Sequence, residues 1–143
     1  MNLRITNFRG DEIEVKPYVA LYTHKDFMGK PIPDLAIILD ALDKDGNVDC
    51  QYAVLTKSFG EHISIKNCAY VDTNNCSFAE ELLEQGIARK TGFTMKSGHC
   101  TYPLWKFDEA FLKECGGTEY EKYSQAHDDY TRALSHGEDE NED

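Results

Sequence analysis

Basic residues are scarce in this sequence. Fifteen Lys and Arg stand against 26 Asp and Glu, a formal net charge of −11 at pH 7. Such a chain repels DNA, RNA and anionic membranes at long range and attracts basic proteins. The expected partner is therefore a protein, basic or itself nucleic-acid-binding. No direct nucleic-acid contact is expected unless a local basic patch or a metal intervenes. Long apolar runs are missing too. The longest, residues 35–39, has the length of a strand, far short of the roughly 20 residues that span a bilayer, so no membrane partner is expected. Residues 1–9 alternate polar and apolar types and lack the continuous apolar core of a secretory leader. The five cysteines are odd in number and hold no C-x-x-C pair, which reads as free thiols in a reducing cytosol. No internal repeat is present.

What is there is globular in character. The 143 residues suit one domain. Hydrophobic residues make up 41% and aromatics 11%, enough to build a core and too much for a disordered chain. Residues 137–143 are the exception, with five acids and nothing apolar. The expectation is a single domain over 1–136 followed by a disordered acidic tail over 137–143.

Residues 12–16 alternate charged and apolar side chains with period two, which predicts a half-buried strand. With Leu3, Ile5 and Phe8 before the turn Arg9-Gly10-Asp11, it predicts an N-terminal hairpin. Pro17 marks a break, since it has no amide hydrogen for a ladder. Residues 18–23 read as a further strand and 24–33 as a loop. Residues 34–42 form the most apolar strand, placed centrally. Asp43-Lys44-Asp45-Gly46-Asn47 is a strong turn signal, with 48–56 as the returning partner. Residues 62–66 and 69–71 read as one strand or two. Ser77, with Glu80 three residues later, has the form of a capping box. It opens a helix that buries Phe78, Leu82 and Leu83 and stops at Gly86. Residues 90–99 read as a loop or loose hairpin, and 102–107 as an aromatic edge strand holding Pro103. Asp108 caps a short helix, and Thr118 caps a last helix of about four turns. The expected fold class is α+β: a mostly antiparallel sheet of five to seven strands with two or three helices, the last C-terminal.

The order of the pieces over residues 34–107 carries a resemblance. The apolar strand, acidic turn and returning strand lead to Tyr70-Val71-Asp72-Thr73-Asn74-Asn75 and a helix ending near Gln85-Gly86-Ile87-Ala88. Thr91-Gly92, Ser97-Gly98 and Thr101-Tyr102-Pro103-Leu104-Trp105-Lys106-Phe107 follow. This run resembles a family of small acidic domains of unknown function, encoded mainly by gut Firmicutes and often carried on plasmids, prophages and conjugative elements. The resemblance leaves out the N-terminal hairpin and the last helix. It implies a bacterial cytoplasmic protein in the cargo of mobile DNA. It supplies no catalytic residue, metal or cofactor.

Several constellations touch on chemistry. Cys68 and Cys76, with His99 and Cys100, offer thiolate and imidazole ligands to zinc. The seven-residue gap and the adjacent His99-Cys100 do not fit tight ligand pairs, and buried free thiols are the simpler reading. Cys100 with His62 or His99 has the parts of a nucleophile and base, without a signature around the cysteine. Lys96-Ser97-Gly98 lacks the strand–loop–helix context of a phosphate loop. The acidic turn at 43–47 lacks the spaced ligands of a calcium loop. Asn75-Cys76-Ser77 fits a glycosylation sequon that a cytosolic bacterial protein would not use, and Arg9-Gly10-Asp11 matches an adhesion tripeptide by chance and serves as a turn. No catalytic residue, metal or cofactor is assigned.

The last helix carries Tyr120, Tyr123, His127, Tyr130 and Leu134 at helical spacing. Either this stripe packs on the domain's own sheet, as helices usually need, or its tyrosines anchor a partner. The acids Glu119, Glu121, Asp128 and Asp129 lie off the stripe. Asp43, Asp45 and Asp49 cluster at a turn, and Glu12 and Glu14 share a strand face. Arrayed carboxylates either keep a surface solvated or imitate the phosphates of duplex DNA, one charge per ~1.7 Å. The leading expectation is a non-enzymatic, protein-binding accessory factor of mobile DNA. In sharper form it is an acidic nucleic-acid mimic of antirestriction or anti-CRISPR type. Its partner-binding residues are Glu119, Glu121, Asp128, Asp129, Tyr120, Tyr123, Tyr130, Asp43, Asp45 and Asp49. The alternatives are a small enzyme or zinc module using Cys68, Cys100 and His99, and a structural homodimer.

Overall fold

The computed structural model describes residues 1–142, with the side chains of Thr23 and of residues 136–142 excepted. The acidic tail expected over 137–143 thus lies outside the residues whose side chains are described. The first four strands, β1 (Leu3–Thr6), β2 (Glu12–Lys25), β3 (Pro31–Leu42) and β4 (Val48–Val54), form an antiparallel sheet in that order. The period-two pattern explains the pairing. Val15 and Val19 of β2 stand opposite Ala41 and Ile37 of β3, and Val15, Val19, Leu35, Ile37 and Leu39 turn into the core. β3 sits between two partners, as its apolar content implies.

Pro17 does not break β2. It lies inside the strand opposite Leu39, and β1 stops pairing at Val15. From Pro17 onward β2 has a strand neighbour on one side only, where a residue without an amide hydrogen is tolerated. The loop expected over 24–33 shrinks to a turn, because Pro31 and Pro33 take strand positions opposite Lys25 and Thr23. Asp26 closes this turn by accepting from the amides of Met28 and Lys30 at 2.9 Å. Asp43 does the same for Asp45 and Asn47 at the next turn.

At Leu55 the chain crosses between sheets. Its amide donates to Ile37 and its carbonyl accepts from Asp72. The second sheet holds β5 (Thr56–Lys57), β6 (Cys68–Val71), β7 (Ala88–Ser97) and β8 (Cys100–Phe107), antiparallel in the order β5-β6-β8-β7. The aromatic strand is therefore internal, between β6 and β7, and not an edge. Pro103 faces Thr94 of β7 at a point beyond the β6 pairing, which covers Leu104 to Lys106. As at Pro17, the reach of the neighbour decides whether proline fits. Residues 62–66 form no strand. The loop expected over 90–99 is most of β7, with a register shift between Lys90 and Thr94.

Three helices complete the α+β fold: α1 (Ala79–Glu84), α2 (Glu109–Gly116) and α3 (Thr118–Glu142). The capping box is absent. Phe78 holds the cap position without a side-chain bond, while Glu80 pairs with Lys90 at 2.9 Å and Glu81 accepts from the Thr6 hydroxyl at 2.7 Å. Asp108 caps α2 as expected, accepting from the Phe111 amide at 3.0 Å. Thr118 is the first residue of α3, and the Gly117 carbonyl accepts from the Glu121 amide. Both sheets and the helices meet in one core that includes Leu39, Leu55, Val71, Leu82, Trp105, Phe107, Leu112 and Tyr123. At Gly116 a Cβ would stand 2.6 Å from the Cβ of Tyr120 and 2.8 Å from a methyl of Val19. The end of α2 lies that close against β2.

Candidate functional site

The tyrosine stripe belongs to the fold. Tyr120, Tyr123, His127 and Tyr130 are buried, and Leu134 is 48% exposed. Asn67, in the left-handed region at φ 69°, is gripped twice. Its amide donates to the Tyr123 hydroxyl at 3.0 Å, and its side-chain oxygen accepts from the Tyr120 hydroxyl at 2.8 Å. The Tyr130 hydroxyl donates to Asp26 at 2.9 Å. The His127 Nε2 meets the Ile63 carbonyl at 2.9 Å. Burial pushes the Tyr123 hydroxyl well above its ordinary pKa. Of the two readings of this stripe, the structure has the one in which it packs on the domain itself: Tyr120, Tyr123 and Tyr130 are buried and their hydroxyls bond inside the chain. Burying an aromatic face on the sheet outweighs leaving it in water.

The acids divide into two groups. On α3, Glu119 pairs with Lys122 at 2.9 Å, Asp128 with Lys66 at 3.0 Å and Asp129 with Arg132 at 3.4 Å. Glu121 is exposed and meets no cation among the described residues. At the far end of the first sheet, Asp45 and Asp49 are exposed and have no ion pair among the described residues. Asp43 there accepts only turn amides. Glu12 pairs with Arg4, and Glu14 accepts from Asn2. Tyr130, next to Asp129, reaches Asp26 before the start of β3, whereas Asp43 follows its end. Those ends are about 40 Å apart at ~3.3 Å per residue. Asp129 and the Asp43 turn therefore lie toward opposite ends of β3.

The cysteine constellation is not assembled. Cys68 stands opposite Lys106, and Cys100 opposite Ser97 at the start of β8. Six residues of strand separate those positions, about 20 Å. His99 is exposed in the β7–β8 turn. Burial pushes the Cys68 thiol up against the lowering pull of Lys106 and Arg89, and pushes Cys76 up to about 11. Thiols so raised are poor nucleophiles and ligands. Among the described residues no group of three or more His, Cys, Asp or Glu is placed to hold a metal.

Three features escaped the sequence reading. Asp34 of β3 is buried and accepts from the Ser58 hydroxyl, and burial raises its pKa. His62 packs against His127 and Tyr130, with ring centroids at 5.1 and 4.6 Å. Both its ring nitrogens are buried without a hydrogen-bond partner among the described residues. The third feature is electrostatic. Residues 85–107 contain Arg89, Lys90, Lys96 and Lys106 and no acid. This stretch carries +4 in a chain of −11, which leaves −15 on the other 120 residues. It folds into the β7–β8 hairpin, with Phe93 62% exposed. The signal was an acid-free run, hidden by the net charge of the whole.

No curated protein and no solved structure matches the chain. A family model does match it over residues 33–127, about two thirds of its length and all of the stretch that carried the resemblance. By that match the chain belongs to the family described as Domain of unknown function (DUF4313).

Proposed function

We propose that this domain is a non-enzymatic, protein-binding accessory factor of mobile DNA that presents its acidic surface to a basic partner. In the sharper form it occupies the nucleic-acid site of a host defence protein, blocking it sterically and electrostatically. The observation that carries this reading is the segregation of charge: every acid lies outside residues 85–107, and the rest of the chain holds −15. The turn around Asp43, Asp45 and Asp49 is the better face, because the α3 acids are largely offset by Lys66, Lys122 and Arg132. Exposed pairs of that kind add little stability but do lower the local field.

The test is a pull-down with the tagged full chain from a bacterial lysate, eluted by rising salt. Two variants run beside it: Asp43→Asn, Asp45→Asn, Asp49→Asn together, and Glu119→Gln, Glu121→Gln, Asp128→Asn, Asp129→Asn together. A nucleic-acid-binding protein that elutes as salt rises, and is lost with the first variant, supports the reading. Equal retention by the wild type and both variants, or recovery of the bait alone, sinks it.

A further inference from the structure

A cationic pair on the second sheet forms no ion pair among the described residues. The β7–β8 register sets Arg89 directly opposite Lys106, so the two share one face. Like charges placed this way repel and cost stability. Lys90, opposite Trp105 on the other face, is neutralised by Glu80.

Two clefts meet at this pair. Arg89 and Lys106 line both a cleft of about 390 Å³ bounded by Asn67, Gly86 and Phe107 and one of about 270 Å³ bounded by Ile65 and Thr91. Asp108 and Glu109 also line the first cleft and balance its two cations, whereas no acid lines the second. Asp108 caps α2, and Glu109 faces Lys113 at 3.7 Å. The first cleft alone is of the size that holds small ligands, roughly 300–1,000 Å³.

We propose that Arg89 and Lys106 bind the phosphate group of a small, mononucleotide-sized ligand. The guanidinium suits two-pronged contact with phosphate oxygens, and the ammonium adds a point charge. Screening sets the size. At physiological salt the Debye length is about 8 Å, so a phosphate seated in the second cleft, which no acid lines, feels mainly Arg89 and Lys106. A long nucleic-acid strand would run past them onto the acidic remainder.

The full chain is titrated calorimetrically with adenosine monophosphate and, separately, with inorganic phosphate, beside Arg89→Gln and Lys106→Gln. The expected result is binding of the nucleotide at millimolar concentration or below, weakened about tenfold or more by either variant, with inorganic phosphate competing for the same site. Without ligand, both variants keep or raise Tm, because a like-charge opposition is relieved. That separates loss of binding from loss of fold. The site is overturned by failure of both probes to bind at about 10 mM, by binding that neither variant changes, or by a lower Tm in both variants. Tighter binding of a single-stranded 20-nucleotide DNA than of the mononucleotide overturns the small-ligand assignment.

Discussion

The β2–β3 and β7–β8 hairpins share a topology and differ in nearly everything else. β2 and β3 pair without interruption from Val15–Ala41 to Lys25–Pro31 and send Val15, Val19, Leu35, Ile37 and Leu39 into the core. β7 has no buried residue along its length, and its ladder to β8 is interrupted between Lys90 and Thr94. Bulged strands bend and twist more sharply and often lie next to functional sites. A strand wet on both faces contributes little hydrophobic stabilisation. Stability thus comes from both strands of the first hairpin and from β8 alone in the second. The outer strand of the second is free to carry an unusual charge, and it does.

The largest effect should come from a paired test of that division. Leu39→Ala in β3 should cost about 3 kcal/mol by urea denaturation, from lost transfer energy and a residual cavity. Phe93→Ala in β7 should stay within about 0.5 kcal/mol. Equal costs would break the comparison. Next is Gly116→Ala, which pushes a methyl into Val19 of β2 and the Cβ of Tyr120. It should destabilise by about 2 kcal/mol, and a neutral result would mean that α2 slides freely on the first hairpin. Tyr123→Phe keeps the ring but orphans the Asn67 amide. A loss of about 1 kcal/mol is expected, with hydrogen exchange quickened at Asn67.

The smallest effect is a pH dependence. Burial, and secondarily the charge of His127, lower the pKa of His62 below its ordinary 6.5. The neutral ring is therefore favoured in the folded chain. Its contribution is complete above pH 6.5 and is lost as pH falls from there toward the lowered folded value. Tm should fall between pH 7.5 and 5.5, and His62→Leu should flatten that part of the curve. An unchanged slope in the variant would assign the acid sensitivity elsewhere.

Much of the fold was legible in the sequence. The alternation in residues 12–16, the apolar run of β3 and the Asp-rich turn after it act locally, and each formed as read. The Asp108 cap likewise needs only its own neighbours. The misreadings share a cause: each depends on a neighbour from another element of the fold. Pro17 and Pro103 looked like a break and an edge, but the short reach of β1 and of β6 lets both stay inside strands. Ser77 and Glu80 had the spacing of a cap, yet Glu80 finds Lys90 across the fold. For the candidate surface, the acids were visible one by one. On α3 the pairs Glu119–Lys122 and Asp129–Arg132 follow helical spacing, but no spacing rule connects Lys66 to Asp128. The acid-free run at 85–107 needed no structure to be seen, only a count taken by segment.

The double grip on Asn67 also bears on how the protein is made. Tyr120 and Tyr123 lie 53 and 56 residues downstream of the residue they hold. At a synthesis rate of about 5–20 residues per second, the clasp cannot close for roughly 3–10 s after Asn67 leaves the catalytic centre of the ribosome. During that interval the strands around Asn67 have no α3 to cover them. The nascent chain, rather than the finished protein, is then the form most exposed to chaperones and proteases.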